Sequence, residues 1–382
     1  MSERKSFIVK VVTTADFLLD LPGLVPYTSF EQQIDIFVTA KGFEERVLAF
    51  PGRLADEGQR VRGPILVGSY HTNQFDNEQR YAELRPLLEA LGTPIIDFDA
   101  DDPLEVVSCV EAALGNPTKM PTMHVVFDVS GASSTLILAV MAALTRGARK
   151  ISLTILYATA DVYDVPDTNA AEPLALGEQR EEGVGGPPLS VPFAGHHHDH
   201  LPGSVIALPS MYTGRLEACL AHLSVGPMTG SSDNLYWLLP STGADEHKWR
   251  QDDTRRAVQT LMRRLQGREG EDADTEVIRP DDMATSDVLD YAETMRLLVA
   301  RIDSLSGRNI SIVHMGSKLQ AIGVSLAAAA RSEVTVLTAR PAAFNAKKYS
   351  SGTGSMYAIR IPDLGNIVRA IADIGTLKVE NT

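Results

Sequence analysis

Asn309–Thr338 reads NISIVHMGSKLQAIGVSLAAAARSEVTVLT. A short β-branched run, Asn309–His314, meets a small polar turn, Met315-Gly316-Ser317-Lys318. A helix former, Leu319–Ala330, follows, and a second β-branched run, Glu333–Thr338, closes the stretch. The pattern is strand, tight turn, helix and strand, which is one right-handed βαβ unit. The turn falls at the carboxyl end of the strand and the amino end of the helix. Free N–H groups and the positive end of the macrodipole attract an anion there, and a glycine lets the backbone approach it. Ser317 adds a hydroxyl donor and Lys318 a full charge. A tight βα turn with a solvated lysine would need the same residues, so Gly-Ser-Lys is a weak signal by itself.

The same alternation covers most of the chain. Strands are expected at Phe7–Thr13, Ile34–Thr39, Pro64–Tyr70, Pro94–Asp99, His124–Val129 and Lys150–Ala158. Helices are expected after Lys41 to Leu54 and at Asn77–Leu91, Pro103–Leu114 and Leu136–Arg146. Strands separated by helices of roughly ten to fifteen residues predict a parallel, helix-covered sheet. Residues 162–203 break the rhythm, being rich in Pro, Gly and Glu, and read as a linker or long surface loop. The rhythm restarts with strand Ser204–Leu208, helix Thr213–Leu223, strand Asn234–Leu239, helix Asp245–Arg264, acidic loop Glu271–Asp274, strand Glu276–Ile278 and helix Ser286–Ser304. Beyond Thr338 come a polar, Gly/Ser-rich loop, Ala342–Ser355, a strand, Met356–Ile361, and a terminal helix, Leu364–Ile374.

The two halves match unit by unit. Phe127-Asp128-Val129-Ser130-Gly131-Ala132-Ser133-Ser134 occupies the place of Val313-His314-Met315-Gly316-Ser317-Lys318, and the helices that follow are alike: LILAVMAALTRGARKISLTILYA against LQAIGVSLAAAARSEVTVLTA. Gly131 and Gly316 lie close to half the chain apart, a period that fits domain duplication and not a solenoid. Doubly wound sheets bind ligands outside the carboxyl ends of their strands. Two such sheets in a pseudo-dimer can therefore turn both ligand edges into one groove.

Composition narrows the function classes. Of 382 residues, 44% are hydrophobic and 22% charged, which gives ample core for two domains. The net charge of −14 opposes a sequence-independent grip on DNA or RNA, but not a small anion in a local pocket. Cys109 and Cys219 sit in apolar helical patterns and read as buried free thiols. No apolar run reaches the length of a membrane span and no signal-peptide pattern opens the sequence, so the expected location is the cytoplasm. His196-His197-His198-Asp199-His200 is a run on a flexible loop, without the set geometry metal ligation needs, and no metal site is expected. HExxH, Walker A, GxSxG and a full GxGxxG after a strand are all absent.

Other turns at the same sheet edge offer candidates. In Lys41–Arg46, Gly42 allows close approach and Arg46 can reach a phosphate, or the charged residues merely decorate a helix start. Gly68–Gln74 is a polar set with Ser69 and Tyr70, where a base can hydrogen-bond and stack, or a solvated loop. Tyr212, Gly214 and Arg215 hold the equivalent place in the second half, and Ser241-Thr242-Gly243 follows its second strand. Asn345, Lys347, Lys348 and Tyr349, with a Gly/Ser run behind them, form a loop suited to folding over phosphates.

At this point the residues resemble a known family. CARF domains, the CRISPR-associated Rossmann-like sensors, carry D/N-x-T/S-G-G-T-K after their fourth strand, followed by a small apolar helix. Asp128–Ser134 is similar to a degenerate copy, with Ala132 for the second glycine and Ser134 for the lysine. Met315–Lys318 is similar to a second copy that keeps glycine, hydroxyl and lysine. Two CARF-like halves in one chain resemble SAVED domains, sensors of bacterial antiphage systems, CBASS as well as CRISPR.

The resemblance implies two tandem Rossmann-like (CARF-like) doubly wound α/β domains, residues 1–165 and 204–382, joined by a linker at 166–203. It implies a sensor that binds a cyclic or linear oligonucleotide second messenger between the halves, without a cofactor. Its output would be a partner effector protein or homo-oligomeric assembly. The ligand-binding set would be Gly42, Arg46, Ser69, Tyr70, Ser130, Gly131, Ser133, Ser134, Tyr212, Arg215, Thr242, Gly316, Ser317, Lys318, Asn345 and Lys348. Some CARF proteins also cleave the messenger as ring nucleases; in that alternative Ser317, Lys318 and Ser133 are the catalytic candidates, stabilising charge at the phosphate. The two unequal turns imply that the second half supplies the main charge contact.

Overall fold

The computed structural model describes residues 21–115, 122–147, 149–163, 181–189, 192–224, 234–268, 277–346 and 349–377. In chain order the first half runs β1 (Val25–Pro26), β2 (Ile36–Ala40), α1 (Ala49–Asp56), β3 (Ile65–Ser69), α2 (Gln74–Leu91), β4 (Ile95–Asp99), α3 (Pro103–Leu114), β5 (Thr122–Asp128), α4 (Ser134–Arg146) and β6 (Lys150–Ala158). Then come β7 (Glu181–Glu182), β8 (Gly203–Leu208), α5 (Gly214–His222), β9 (Leu235–Ser241), α6 (Lys248–Leu265), β10 (Met283–Asp287), α7 (Tyr291–Ser304), β11 (Asn309–His314), α8 (Lys318–Ala330) and β12 (Thr335–Leu337). The chain closes with β13 (Ala343–Phe344), β14 (Met356–Ile361) and α9 (Leu364–Leu377).

One sheet has the order β1-β14-β6-β5-β2-β3-β4 and the other β10-β9-β8-β11-β12. With the five parallel strands of each half counted in chain order, both sheets read 3-2-1-4-5, the doubly wound order. The fold class is thus α/β with two matching parallel sheets. Its inner strands are apolar runs buried on both faces, such as IFVTA in β2, as a parallel sheet covered by helices requires.

The halves are fused back to back. Residues 135–144 of α4 and 319–328 of α8 are all buried. Helices apolar on every face belong inside a core, and here the two equivalent helices pack against each other between the sheets. One continuous core joins β-strands of both sheets to α3, α4, α7, α8 and α9. The outer face of the first sheet is covered by α1 and α2, that of the second by α5 and α6. Gly323 explains how closely α8 approaches α7. A Cβ there would stand 2.5 Å from the Tyr291 carbonyl oxygen and 3.1 Å from the Met295 nitrogen.

Several elements differ from the sequence reading. Val277 and Ile278 are buried but unpaired, and the third strand of the second sheet is β10, Met283–Asp287. Its sequence, MATSD, is polar because β10 is an edge strand paired only with β9, with little to bury. The following helix starts at Tyr291, where the Asp290 side chain caps it, and not at Ser286, which is still in the strand. Met356–Ile361, expected to close the second domain, pairs antiparallel with β6 and extends the first sheet instead. Leu364, Ile367 and Ile371 of α9 bury into the shared core beside it. The described part of the 166–203 segment runs along the edge of β12, with hydrogen bonds Leu189–Thr338 and Val336–Phe193, so it shields that edge. Asn309 anchors its end through the His198 and Leu201 backbone. Cys219 is buried, Cys109 is half-buried, and both are free thiols. Among the described residues no helix is long and apolar enough to cross a membrane. The expected strand Phe7–Thr13 and loop Glu271–Asp274 lie outside the described residues.

Candidate functional site

The carboxyl edges of both sheets open into one cavity of about 1100 Å³. Both turns line it, so the two Gly turns share one groove. The first is held from three sides. Ser133 is the N-cap of α4, accepting from the Leu136 N–H at 3.2 Å. The Tyr70 hydroxyl accepts from the Ser133 N–H at 2.7 Å and donates to the Gly131 carbonyl at 3.4 Å. Beneath, Asp128 Oδ1 accepts from the Ser130 N–H and hydroxyl at 2.9 and 2.6 Å. The Ser130 Oγ in turn accepts from the Ala158 N–H at 2.9 Å.

The second turn is capped differently. Ser317 and Gln320 form a capping box: Ser317 Oγ accepts from the Gln320 N–H at 3.1 Å, and Gln320 Oε1 accepts from the Ser317 N–H at 2.9 Å. The Ser317 hydroxyl donates to the Val288 carbonyl at 2.6 Å. Ser133 and Ser317 are both N-caps, so Ser134 and Lys318 both occupy the first helical position. At that position the second half places its cation. Lys318 Nζ crosses the groove floor and donates to the Ala132 carbonyl of the first turn at 2.6 Å.

Charge beneath this bridge is concentrated. Arg46, Glu44 and Asp128 stand close enough to Lys318 to act on it. Burial and then Arg46 depress the Lys318 ammonium to about 8, despite Glu44 and Asp128. Burial pushes the Asp128 carboxyl up to about 6, against its hydrogen bonds and the two cations. Burial also opposes ionisation of Glu44, yet Arg46 and Lys318 outweigh it and hold the carboxyl below its usual range. At the matching strand end of the second half, His314 is fully buried with neither ring nitrogen partnered. Burial, with Arg215 nearby, drives its pKa down to about 3.

The cavity brings together Gly42, Arg46, Tyr70, Gly131, Ser133, Ser134, Tyr212, Arg215, Thr242, Gly316, Ser317 and Lys318. Ser69 ends β3 and Asn345 lies in the β13–β14 loop, and neither lines the cavity; Ser130 is buried under the first turn. Lys348 lies outside the described residues. The arginines are already engaged. Arg46 is paired with Glu44 at 2.7 Å, and Arg215 holds Glu181 through Nε and Nη2 at 2.8 and 2.9 Å. Gly131 is demanded by packing, since a Cβ there would stand 2.6 Å from Val47 Cγ1.

Sequence reading named Tyr70, Tyr212 and Tyr349 but missed Tyr157, Tyr163, Tyr291 and Tyr357. Tyr70, Tyr157, Tyr163, Tyr212, Tyr291, Tyr349 and Tyr357, seven of the chain's ten, line this one cavity. Phe43, Phe344 and Tyr349 form a mutually packed trio at its rim, with centroids 5.3–5.9 Å apart. Arg250 lies over the Tyr163 ring at 4.6 Å. Scattered over the chain, these rings share no spacing that marks them as one group. Overall charge in the groove is close to balanced. Glu44, Asp101, Asp161, Glu181, Glu246, Asp287 and Asp290 line it with Arg46, Arg215, Arg250, Arg296, Lys318 and Arg340.

No family model matches the chain, and no curated protein matches it in sequence. Solved structures give remote likenesses. The cytoplasmic domain of a prokaryotic cation chloride cotransporter is 8% identical, with 81% of this chain and 96% of that one covered and a TM-score of 0.23. Can2 from Sulfobacillus thermosulfidooxidans, solved in complex with cyclic tetra-adenylate, is 9% identical over 79% and 95%, with a TM-score of 0.23. A universal stress protein from Archaeoglobus fulgidus DSM 4304 is 14% identical over 81% and 97%, with a TM-score of 0.21. Scores this low carry neither fold nor function; the fold class rests on the strand order.

Proposed function

We propose that the groove binds a nucleotide second messenger, a cyclic or linear oligonucleotide, and that the chain is a CARF- or SAVED-like sensor of prokaryotic antiviral defence. Its output passes through a partner protein or through assembly. The observation that carries this reading is the Lys318 bridge to Ala132: the floor of the cavity is built by both halves, and neither makes it alone. Phosphates meet a lysine and two helix N-termini there, and bases meet tyrosine faces on the walls. A thermal-shift screen against cyclic di-, tri-, tetra- and hexanucleotides tests it. A ligand at a hundred times its Kd stabilises by about 2.7 kcal/mol, a readable shift. A panel without any stabilising nucleotide sinks the reading.

A second reading, a ring nuclease or other nucleotide-processing enzyme, is favoured by the depressed Lys318 ammonium beside the raised Asp128 carboxyl. Perturbed groups at a cavity suit proton transfer at neutral pH. Chromatography of the incubated nucleotide separates the two: turnover supports the enzyme, and intact ligand the sensor.

A further inference from the structure

We propose that Arg215 is a second phosphate subsite of the groove, and that Glu181 is its resident stand-in, a carboxylate that an arriving phosphate displaces. This deepens the nucleotide reading and rests on it only for the source of the phosphate.

The geometry is that of an occupied anion site. Arg215, at the start of α5, lines the cavity. Its Nε and Nη2 take both oxygens of Glu181 in a two-pronged fork, and Nη1 donates to the Ala339 carbonyl at 3.1 Å. A forked guanidinium suits carboxylate and phosphate alike, so the same donors serve either. Both side chains are only 12% exposed, so the pair sits inside the groove and is not a surface ornament.

The first-half pair differs in how its carboxylate is tethered. Glu44 is two residues from Arg46 in the same loop, and both are almost fully enclosed, so it has nowhere to go. Glu181 lies 34 positions before Arg215. It belongs to the two-residue strand β7, which is held by a short antiparallel pairing to β13. The Asn73 side-chain amide donates to the Phe344 carbonyl and accepts from the Phe344 N–H, fixing that end of β13 to the first half. Exchange of Glu181 for a phosphate therefore loosens a strap that ties the segment between the halves to both of them. Ligand occupancy is thereby coupled to that segment.

The experiment is calorimetric titration with inorganic pyrophosphate, which carries no base. Glu181→Gln removes the competing charge and should bind pyrophosphate about tenfold tighter than the unaltered protein, equivalent to about 1.4 kcal/mol. Adding Arg215→Gln to that variant should abolish the gain, while adding Lys318→Ala should leave it. Unchanged or weaker binding in Glu181→Gln, including no binding by either protein, overturns the proposal. A pyrophosphate-bound crystal structure of the unaltered protein decides independently of any variant's folding. Glu181 turned away from an Arg215-bound phosphate supports the exchange, and an intact fork overturns it. A failed nucleotide screen removes the parent reading without touching the pyrophosphate gain. An unchanged pyrophosphate affinity removes this subsite but leaves Lys318-dependent nucleotide binding in place.

Discussion

The turns after β5 and β11 stand at equivalent points of two sheets with the same strand order, yet they have exchanged nearly every functional group. The strand ends in a buried acid, Asp128, in one half and a buried imidazole, His314, in the other. A serine caps each helix, but the next residue is Ser134 in one and Lys318 in the other. The first turn is longer and is stapled by Tyr70; the second is closed by its own capping box. The backbone symmetry is therefore structural, while of the two turns only the second carries a cation, Lys318. Such a groove is suited to a ligand whose two ends differ.

The largest expected effect comes from removing that one-sided charge. Lys318→Ala should weaken binding of whichever nucleotide stabilises the protein by about tenfold to a hundredfold, the worth of a charge-assisted hydrogen bond. Adding Ser134→Lys to that variant puts a cation at the matching helical position and should recover part of the loss. Calorimetric Kd values for the three proteins check both statements. Wild-type affinity in Lys318→Ala would show that the asymmetry has no bearing on the ligand.

Next in size is a contrast between the two glycines. A methyl at Gly131 meets Val47 Cγ1 at 2.6 Å and the Ala40 carbonyl at 3.3 Å, both fixed parts of the core. Gly131→Ala should therefore cost about 1–3 kcal/mol, as overpacking does. A methyl at Gly316 meets the end of the Gln320 side chain, which can swing aside at the expense of its bonds to the Ser317 N–H and the Ser286 hydroxyl. Gly316→Ala should cost less than Gly131→Ala in urea denaturation. The reverse order would mean that the second turn, not the first, is the rigid one.

Much of this contrast was legible in the sequence, because it rests on local chemistry. The β-branched runs, the Ala-rich helices and the Ser-capped turns are short-range patterns, and both sheets follow from them. What was not legible depends on contacts distant in the chain. Nothing near Arg215 announces that Glu181 will occupy it, and nothing in Met356–Ile361 says which sheet it will join. The polar strand Met283–Asp287 escaped because an edge strand needs no apolar run. The first half's glycine looked like a ligand glycine, while the packing against Val47 that demands it lies in another loop.

The smallest effect is the most specific to the two strand ends, and it appears as opposite slopes of stability against pH. His314 takes a proton near 6.5 in the unfolded chain but only near 3 when folded. Below about 6.5 the unfolded state thus binds more protons, and this residue makes stability fall as pH falls. Asp128 keeps its proton up to about 6 when folded but releases it near 3.8 when unfolded. Between those values the folded state binds more protons, so this residue makes stability rise as pH falls. In the protein as it stands the two slopes oppose each other between about pH 4 and 6. Asp128→Asn keeps the shape and removes one slope, so its stability relative to wild type should decline steadily on acidification across that window. His314→Leu should do the reverse. Each slope is bounded by about 1.4 kcal/mol per pH unit for one proton, within reach of urea titrations at pH 4.5, 5.2 and 6.0. Difference profiles that tilt the same way would show that the two strand ends are not the opposed pair the burial of Asp128 and His314 makes them.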